Sequence, residues 1–159
     1  MGASYSSSLL VGFRVSDILE IRQVKETIQK FDENTGKPYT KEIVKEVPFL
    51  FGKAIEQEPE SPSEWLESLL GLSVSCTGND AYDGGYGKNS GWSKYNLELF
   101  VVGKSISSSR PNGGWRGEEP ISTFTLEDVQ TAFAEATKEF AKHGWDKKPQ
   151  LHLISYCGY

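Results

Sequence analysis

The sequence is poor in the side chains on which catalysis and metal binding usually depend. Its 159 residues include only two histidines and two cysteines. The cysteines, Cys76 and Cys157, form no CxxC pair, and two histidines are too few to complete a convincing zinc site around them. We therefore expect no metal and no cofactor. Both cysteines are expected to be free, largely buried thiols in a reducing compartment.

The two histidines are also nearly the whole supply of groups that titrate near neutral pH. His143 lies at the C-terminus of a predicted helix, where a helix-terminal cap is its ordinary role. His152 alternates with leucines on a predicted strand and is interpreted as a structural residue. No Gly-x-Ser-x-Gly turn is present, so we predict no catalytic residues. A hydrolase or transferase built on His152 with Asp80 or Asp83 stays open, because such groups are assembled in space.

Long apolar runs and a surplus of basic charge are missing as well. No apolar stretch reaches the roughly 20 residues that span a bilayer, and the N-terminus lacks the basic and apolar segments of a signal peptide. Since 17 basic residues stand against 22 acidic ones, the net charge is -5 and a nucleic-acid interface is not expected. Length and composition predict one globular domain, residues 1–159. The expected free thiols and the missing signal peptide predict that it lies in the cytoplasm.

Periodicity predicts an α+β fold in which one antiparallel or mixed sheet, of about five to six strands, carries two helices packed on one face. One helix is placed between Ser61 and Gly71 and a longer one between Thr125 and Gly144, each with a capping residue and a terminal glycine. The strand at 95–103 is apolar on both faces in its second half and is expected to be central. Further strands are predicted at 9–15, 72–76 and 150–156.

Residues 25–31 and 39–47 flank a turn-forming segment and predict a hairpin. Asn34 and Gly36 are expected to take the positive φ angles that the reversal requires. Both arms carry Lys and Glu at nearly every other position. That pattern fits a solvated ribbon whose charges prevent edge pairing, or an arm that docks onto a partner. A helix over residues 17–31 is the alternative.

Two long segments without strand or helix periodicity, 77–94 and 104–123, are the candidate binding surfaces. Glycine interleaved with Tyr and Trp is typical of binding loops, because aromatic side chains give a large contact area at low entropic cost. The alternative is that these rings fold back and cover the core. The two loops leave opposite ends of the strand at 95–103 and so form separate surfaces. The candidate binding residues are Tyr82, Tyr86, Lys88 and Trp92 in the first loop and Arg110, Trp115 and Arg116 in the second.

The N-terminal third of the chain, with the turn FDENTGKPY at residues 31–39 and the return FLFGK at 49–53, resembles small uncharacterised accessory proteins encoded by bacteriophages. The resemblance implies a protein of the host cytoplasm, made during infection, that blocks a host defence protein or sequesters a signalling nucleotide. It assigns no site residue.

Together these features favour a binding protein without enzymatic activity, an inhibitor or accessory factor acting on a partner protein. A small nucleotide held between an aromatic ring and a Lys or Arg is the alternative ligand. Self-association is left open, and neither nucleic acid nor a membrane is expected as a partner.

Overall fold

A computed structural model describes residues 4–55, 62–76, 96–109 and 124–158 of the chain. Seven strands and three helices lie in these ranges. In chain order they are β1 (Ser4–Arg14), α1 (Val15–Ile18), β2 (Leu19–Phe31), β3 (Pro38–Leu50), β4 (Lys53–Ala54), α2 (Pro62–Leu70), β5 (Ser73–Cys76), β6 (Phe100–Ser109), α3 (Leu126–Ala141) and β7 (Gln150–Gly158).

The strands form two antiparallel sheets. The main sheet has four strands in the order β5-β6-β1-β7, and the second has three in the order β2-β3-β4. The α+β class is confirmed, but the prediction of one sheet with five to six strands is wrong, and α1 is a third helix besides the two that were predicted. The physical reason lies at α1, a single helical turn in which Val15 and Ile18 are buried. The chain leaves the main sheet there, and β2 pairs with β3 alone.

Both longer helices are confirmed, and α3 carries the predicted cap. The Thr125 hydroxyl accepts the Asp128 backbone N–H at 3.2 Å, and the Asp128 carboxylate accepts the Thr125 backbone N–H at 2.7 Å. The Thr125 backbone N–H, and after it the Thr125 hydroxyl, which lies 3.0 Å from the same carboxylate oxygen, lower the pKa of Asp128. Gly71 and Gly144 follow the helices with φ angles of 64° and 75°, as left-handed terminators do. Ser61, the predicted cap of α2, lies outside the described residues.

One buried cluster joins α2 and α3 to one face of the main sheet, and a smaller cluster lies on the other face. Val101 and Val102 of β6 fall in different clusters, because adjacent side chains of a strand point to opposite faces. β6 is therefore central, and its first four residues, 100–103, are buried on both faces, as predicted for the second half of the strand at 95–103. Leu69 of α2 and Leu126 of α3 are apolar but exposed. The buried side chains of α2 and α3 are Leu66, Leu70, Ala132, Ala136 and Phe140.

β1 and β6 approach each other closely at Gly12 and Gly103, which are opposite each other in the register. A Cβ atom on Gly12 would lie 2.0 Å from the Val102 carbonyl oxygen, and one on Gly103 would lie 2.3 Å from the Val11 carbonyl oxygen. Both separations are far below van der Waals contact. Neither position can therefore hold a side chain unless the backbone of the opposite strand moves.

Three local predictions around these strands are wrong. The first residues of the strand predicted at 95–103 form a 3₁₀ turn, Leu97–Leu99, because the Asn96 side chain accepts the Glu98 backbone N–H at 3.3 Å and bends the chain. Residues 104–109, predicted to be loop, continue β6 and pair with β1 despite their weak apolar signal. The alternative helix over 17–31 exists only as the last part of α1.

The connection between β3 and β4 is a two-residue turn at Phe51 and Gly52, with φ angles of 51° and 77°. A positive φ is strained for a residue as bulky as Phe51. Its ring centroid lies 5.4 Å from that of Trp145, 5.6 Å from that of His143 and 6.2 Å from that of Phe140. This aromatic packing offsets the strain and joins the end of β3 to the end of α3.

Candidate protein-binding surface

The candidate binding residues of the two long loops lie outside the described residues, so their assignment stays a prediction. The same holds for the two carboxylates that the hydrolase alternative would pair with a histidine. These residues are Tyr82, Tyr86, Lys88, Trp92, Arg110, Trp115 and Arg116, together with Asp80 and Asp83.

Both histidine rings contact other parts of the fold. The His143 ring stacks on Phe51 with 20° between the ring planes. The Nε2 atom of His152 lies 3.2 Å from the Gly12 carbonyl oxygen, across the pairing of β7 with β1, and donates to it when that nitrogen carries the proton. Cys76 is a free thiol, but it is half-buried rather than largely buried. Within the described ranges, no three His, Cys, Asp or Glu side chains are grouped to hold a metal ion.

The hairpin formed by β2 and β3, called the ribbon from here on, stands apart from the core. Its antiparallel register is continuous over 13 pairs. Leu19 and Leu50 pair at the core end and are buried, whereas no side chain of residues 22–31 or 38–47 is buried. Because a strand rises about 3.3 Å per residue, the exposed part of the ribbon projects roughly 30 Å. The predicted hairpin is confirmed, and it is longer than predicted.

The core end of the ribbon is fixed through both strands. The Phe51 backbone N–H, just after β3, donates to the Ile18 carbonyl, just before β2, at 2.8 Å. The Ile55 backbone N–H donates to the Pro48 carbonyl at 2.8 Å and holds the short strand β4 against β3. The Phe51 ring adds its contacts with α3 and the residues that follow it. These contacts set the direction in which the ribbon leaves the core.

The turn at the far end of the ribbon is organised by Asp32. Its carboxylate accepts the backbone N–H groups of Asn34 at 2.8 Å and Thr35 at 2.9 Å, and its backbone carbonyl accepts that of Gly36 at 2.8 Å. Gly36 has the predicted positive φ, 63°, but Asn34 does not. Asn34 contributes its N–H to the Asp32 carboxylate instead, so the side-chain cap replaces a second left-handed residue.

The backbone N–H groups of Thr35 and Asn34 hold the pKa of Asp32 below its ordinary value of 3.8. The ionised carboxylate therefore stabilises the turn above the pKa of the unfolded chain, and this contribution disappears as the pH falls through the lowered pKa of the folded state. We expect the Asn34 and Thr35 amide signals in NMR spectra to shift on acidification below about pH 4, as the Asp32 carboxylate takes up a proton. Asp32→Asn, which keeps an acceptor oxygen but cannot titrate, should abolish that response. An unchanged acid response in this variant would contradict the assignment.

Residues paired across an antiparallel ladder point to the same face. One face of the ribbon, called the mixed face from here on, has the same composition in all six of its pairs: one apolar residue opposite one charged residue. The charged members alternate with apolar ones along each strand for much of its length. The six pairs are Glu20/Phe49, Arg22/Val47, Val24/Lys45, Glu26/Ile43, Ile28/Lys41 and Lys30/Tyr39.

The apolar residues of the mixed face form a continuous row. From Val47 outward the apolar member changes strand at every pair, through Val24, Ile43 and Ile28 to Tyr39. Diagonal neighbours in a ladder are about 7–8 Å apart, which is within reach of side chains of this size. Val24 and Tyr39 expose 41% and 46% of their surface to solvent, and Val47, Ile43 and Ile28 are half-buried. The row is therefore an apolar strip, edged by charge, on a projecting element.

At the core end of the mixed face, Arg22 covers the apolar surface. Its guanidinium lies 4.2 Å from the centroid of the Phe49 ring and 2.7 Å from a Glu20 carboxylate oxygen. The hydrogen bond between them lowers the pKa of Glu20 and raises that of Arg22. Both groups stay charged at neutral pH and neutralise each other, so the accessible part of the mixed face begins at Val24.

The opposite face, called the back face from here on, is different. Its first pairs from the core contain Leu19, Ile21 and Leu50, which belong to the core or pack against it. Farther out it is mainly polar, and its exposed apolar residues, Val44 and Phe31, are separated by polar pairs. Only the mixed face therefore offers an unbroken apolar row away from the core.

No helix in the described ranges is both long enough and apolar enough to cross a membrane. Comparisons of the chain with models of known protein families, with curated proteins and with solved structures give no match. What the protein does is therefore inferred from the described surface itself.

Proposed function

We propose that this chain is a non-enzymatic binding protein that docks onto a partner protein through the mixed face of its ribbon. The observation that carries the proposal is the continuous apolar row on an element that projects about 30 Å from the core. Contiguous exposed apolar surface rimmed by polar groups is typical of interaction sites. Apolar residues at the centre with charged residues at the edge is also the usual composition of a protein interface.

The energetics of the ribbon support docking on a face. In the described ranges no other element covers the outer part of the ribbon, and a two-stranded hairpin by itself is only marginally stable in water. A partner that covers Val24, Ile43, Ile28 and Tyr39 removes apolar surface from water, which is worth about 25 cal/mol for each Å² buried. Binding would therefore stabilise the ribbon and the complex together.

Docking along an edge of the ribbon is less favoured than docking on its mixed face. Lys and Glu side chains occur along both strands, and charge on an exposed edge opposes pairing with another strand. Only residues 49–50 of β3 pair with β4. The rest of the ribbon's edges, which no described strand covers, thus carry the charges that discourage strand addition, whereas the apolar row lies on the mixed face.

The resemblance to bacteriophage accessory proteins implies that the partner is a host protein and that the chain acts as an inhibitor or accessory factor. Nucleotide binding remains the alternative from the sequence. Its residues lie outside the described ranges, so no described contact supports it.

A double substitution on the mixed face tests the proposal. In Val24→Thr/Ile43→Thr the β-branched shape is kept while apolar surface is removed, so we expect a folded ribbon. Loss of two central apolar anchors should weaken partner binding by about tenfold or more. The measurement is affinity capture from a lysate of the source or host cells, with quantitative mass spectrometry, followed by titration of the captured protein.

Val44→Thr on the back face is the matched control. Val44 exposes 62% of its surface against 41% for Val24, so unspecific adhesion would depend more on Val44. The proposal expects Val44→Thr to capture the same partner at wild-type level. Equal losses in the two variants, or no loss in either, would show that the mixed face is not the docking surface.

A further inference from the structure

The two faces of the ribbon carry opposite net charge. Beyond the neutral Arg22–Glu20 pair, the mixed face has three lysines, Lys30, Lys41 and Lys45, against a single acid, Glu26. Within the described part of the chain, no ion pair or hydrogen bond engages these lysine ammonium groups. They are therefore available to a partner.

On the back face, acidic residues outnumber basic ones. From the Gln23/Glu46 pair outward, this face has one basic residue, Lys25, and two acidic residues, Glu42 and Glu46. The chain as a whole has a net charge of -5. The positive mixed face is thus a local exception on an acidic protein, and it coincides with the apolar row.

We infer that the partner presents an acidic polypeptide surface, in which Asp or Glu side chains flank an apolar patch. The inference rests on the proposed docking function and adds the chemistry of what is bound. The apolar row would pack against the patch, while Lys30, Lys41 and Lys45 would face the acidic side chains around it. Complementary charge of this kind guides association and excludes partners with basic surfaces.

A second copy of the chain fits the mixed face poorly. Two mixed faces packed together would bring twice three lysines and only twice one glutamate into a single layer, and like charges at close range oppose association. A nucleic acid fits poorly as well, because phosphates would leave the apolar row uncovered and phosphate binding needs a more concentrated basic patch. Both remain outcomes that the test can register.

The test uses the full chain with p-benzoylphenylalanine, a photo-crosslinking aromatic residue, at one of two positions. Tyr39 lies on the mixed face and Phe31 on the back face, and both are exposed aromatics near the far end of the ribbon. Each variant is irradiated in a lysate of the source or host cells, and the cross-linked species is sequenced by mass spectrometry. Lys30→Glu/Lys41→Glu and the back-face control Lys25→Glu are then introduced into the Tyr39 variant.

We expect position 39 to cross-link a polypeptide segment rich in Asp or Glu and apolar residues, and position 31 to give little product. Charge reversal at Lys30 and Lys41 should lower the yield at position 39 by roughly tenfold, because attraction becomes repulsion. Lys25→Glu should leave it unchanged. A basic or neutral segment, a nucleic acid or a second copy at position 39 would overturn the inference. A basic or neutral polypeptide would still leave docking itself intact, whereas no product from either position would overturn the proposed function too.

Discussion

Gly103→Ala is expected to abolish stable folding. A Cβ atom at this position would lie 2.3 Å from the Val11 carbonyl oxygen and 2.9 Å from the Gly12 Cα atom. Both contacts are with the backbone of β1, which is central and cannot give way by changing a rotamer. Opening the sheet there would disturb both buried clusters, so we expect a loss of more than about 4 kcal/mol, a large share of a typical domain's stability.

Equilibrium unfolding in urea, followed by circular dichroism, measures this loss. Gly36→Ala is the matched control, because Gly36 has a positive φ of 63° but nothing within 4 Å of a Cβ atom. We expect that substitution to lower the free energy of unfolding by only about 1–2 kcal/mol, because alanine disfavours the left-handed backbone conformation. If Gly103→Ala were as mild as Gly36→Ala, the close approach of β1 and β6 would be wrong.

Removal of the exposed ribbon is expected to abolish partner binding and to leave the core folded. We would replace residues 24–45 by an Asn-Gly turn, which suits a tight antiparallel reversal. None of the core residues lies in the deleted segment. We expect the melting temperature of the remaining chain to change by only a few degrees, as for surface changes remote from the core.

Differential scanning calorimetry and capture of the partner give the two readouts. Leu50→Ala, at the buried end of the ribbon, is the contrasting control and should cost about 2–5 kcal/mol while leaving the mixed face in place. A shortened chain that unfolds would show that the ribbon is part of the core's stability. A shortened chain that still captures the partner would place the docking surface elsewhere.

The sequence predicted elements well where one periodic signal was strong. The capping residues Thr125 and Asp128, and the glycines after the two longer helices, locate real boundaries. The signal failed where short-range contacts or pairing partners decide the outcome: Asn96 bends the start of a strand into a 3₁₀ turn, and serine-rich residues 104–109 become strand because β1 lies beside them.

The split into two sheets could not be read from periodicity. α1 is one turn of four residues, too short to produce a helical repeat, yet it decides that β2 starts a new sheet. The mixed face can be recognised in the sequence only once the register of the hairpin is known. Residues 20–30 written against 39–49 in antiparallel order then show six pairs of one apolar and one charged residue.

The ribbon projects far from the core and is held only at its inner end. Its inner end is Phe51, whose backbone joins the two strands to Ile18 and whose ring rests on Phe140 at the end of α3. A partner that pulls on the ribbon near Tyr39, roughly 30 Å away, would therefore load the contact between Phe51 and Phe140.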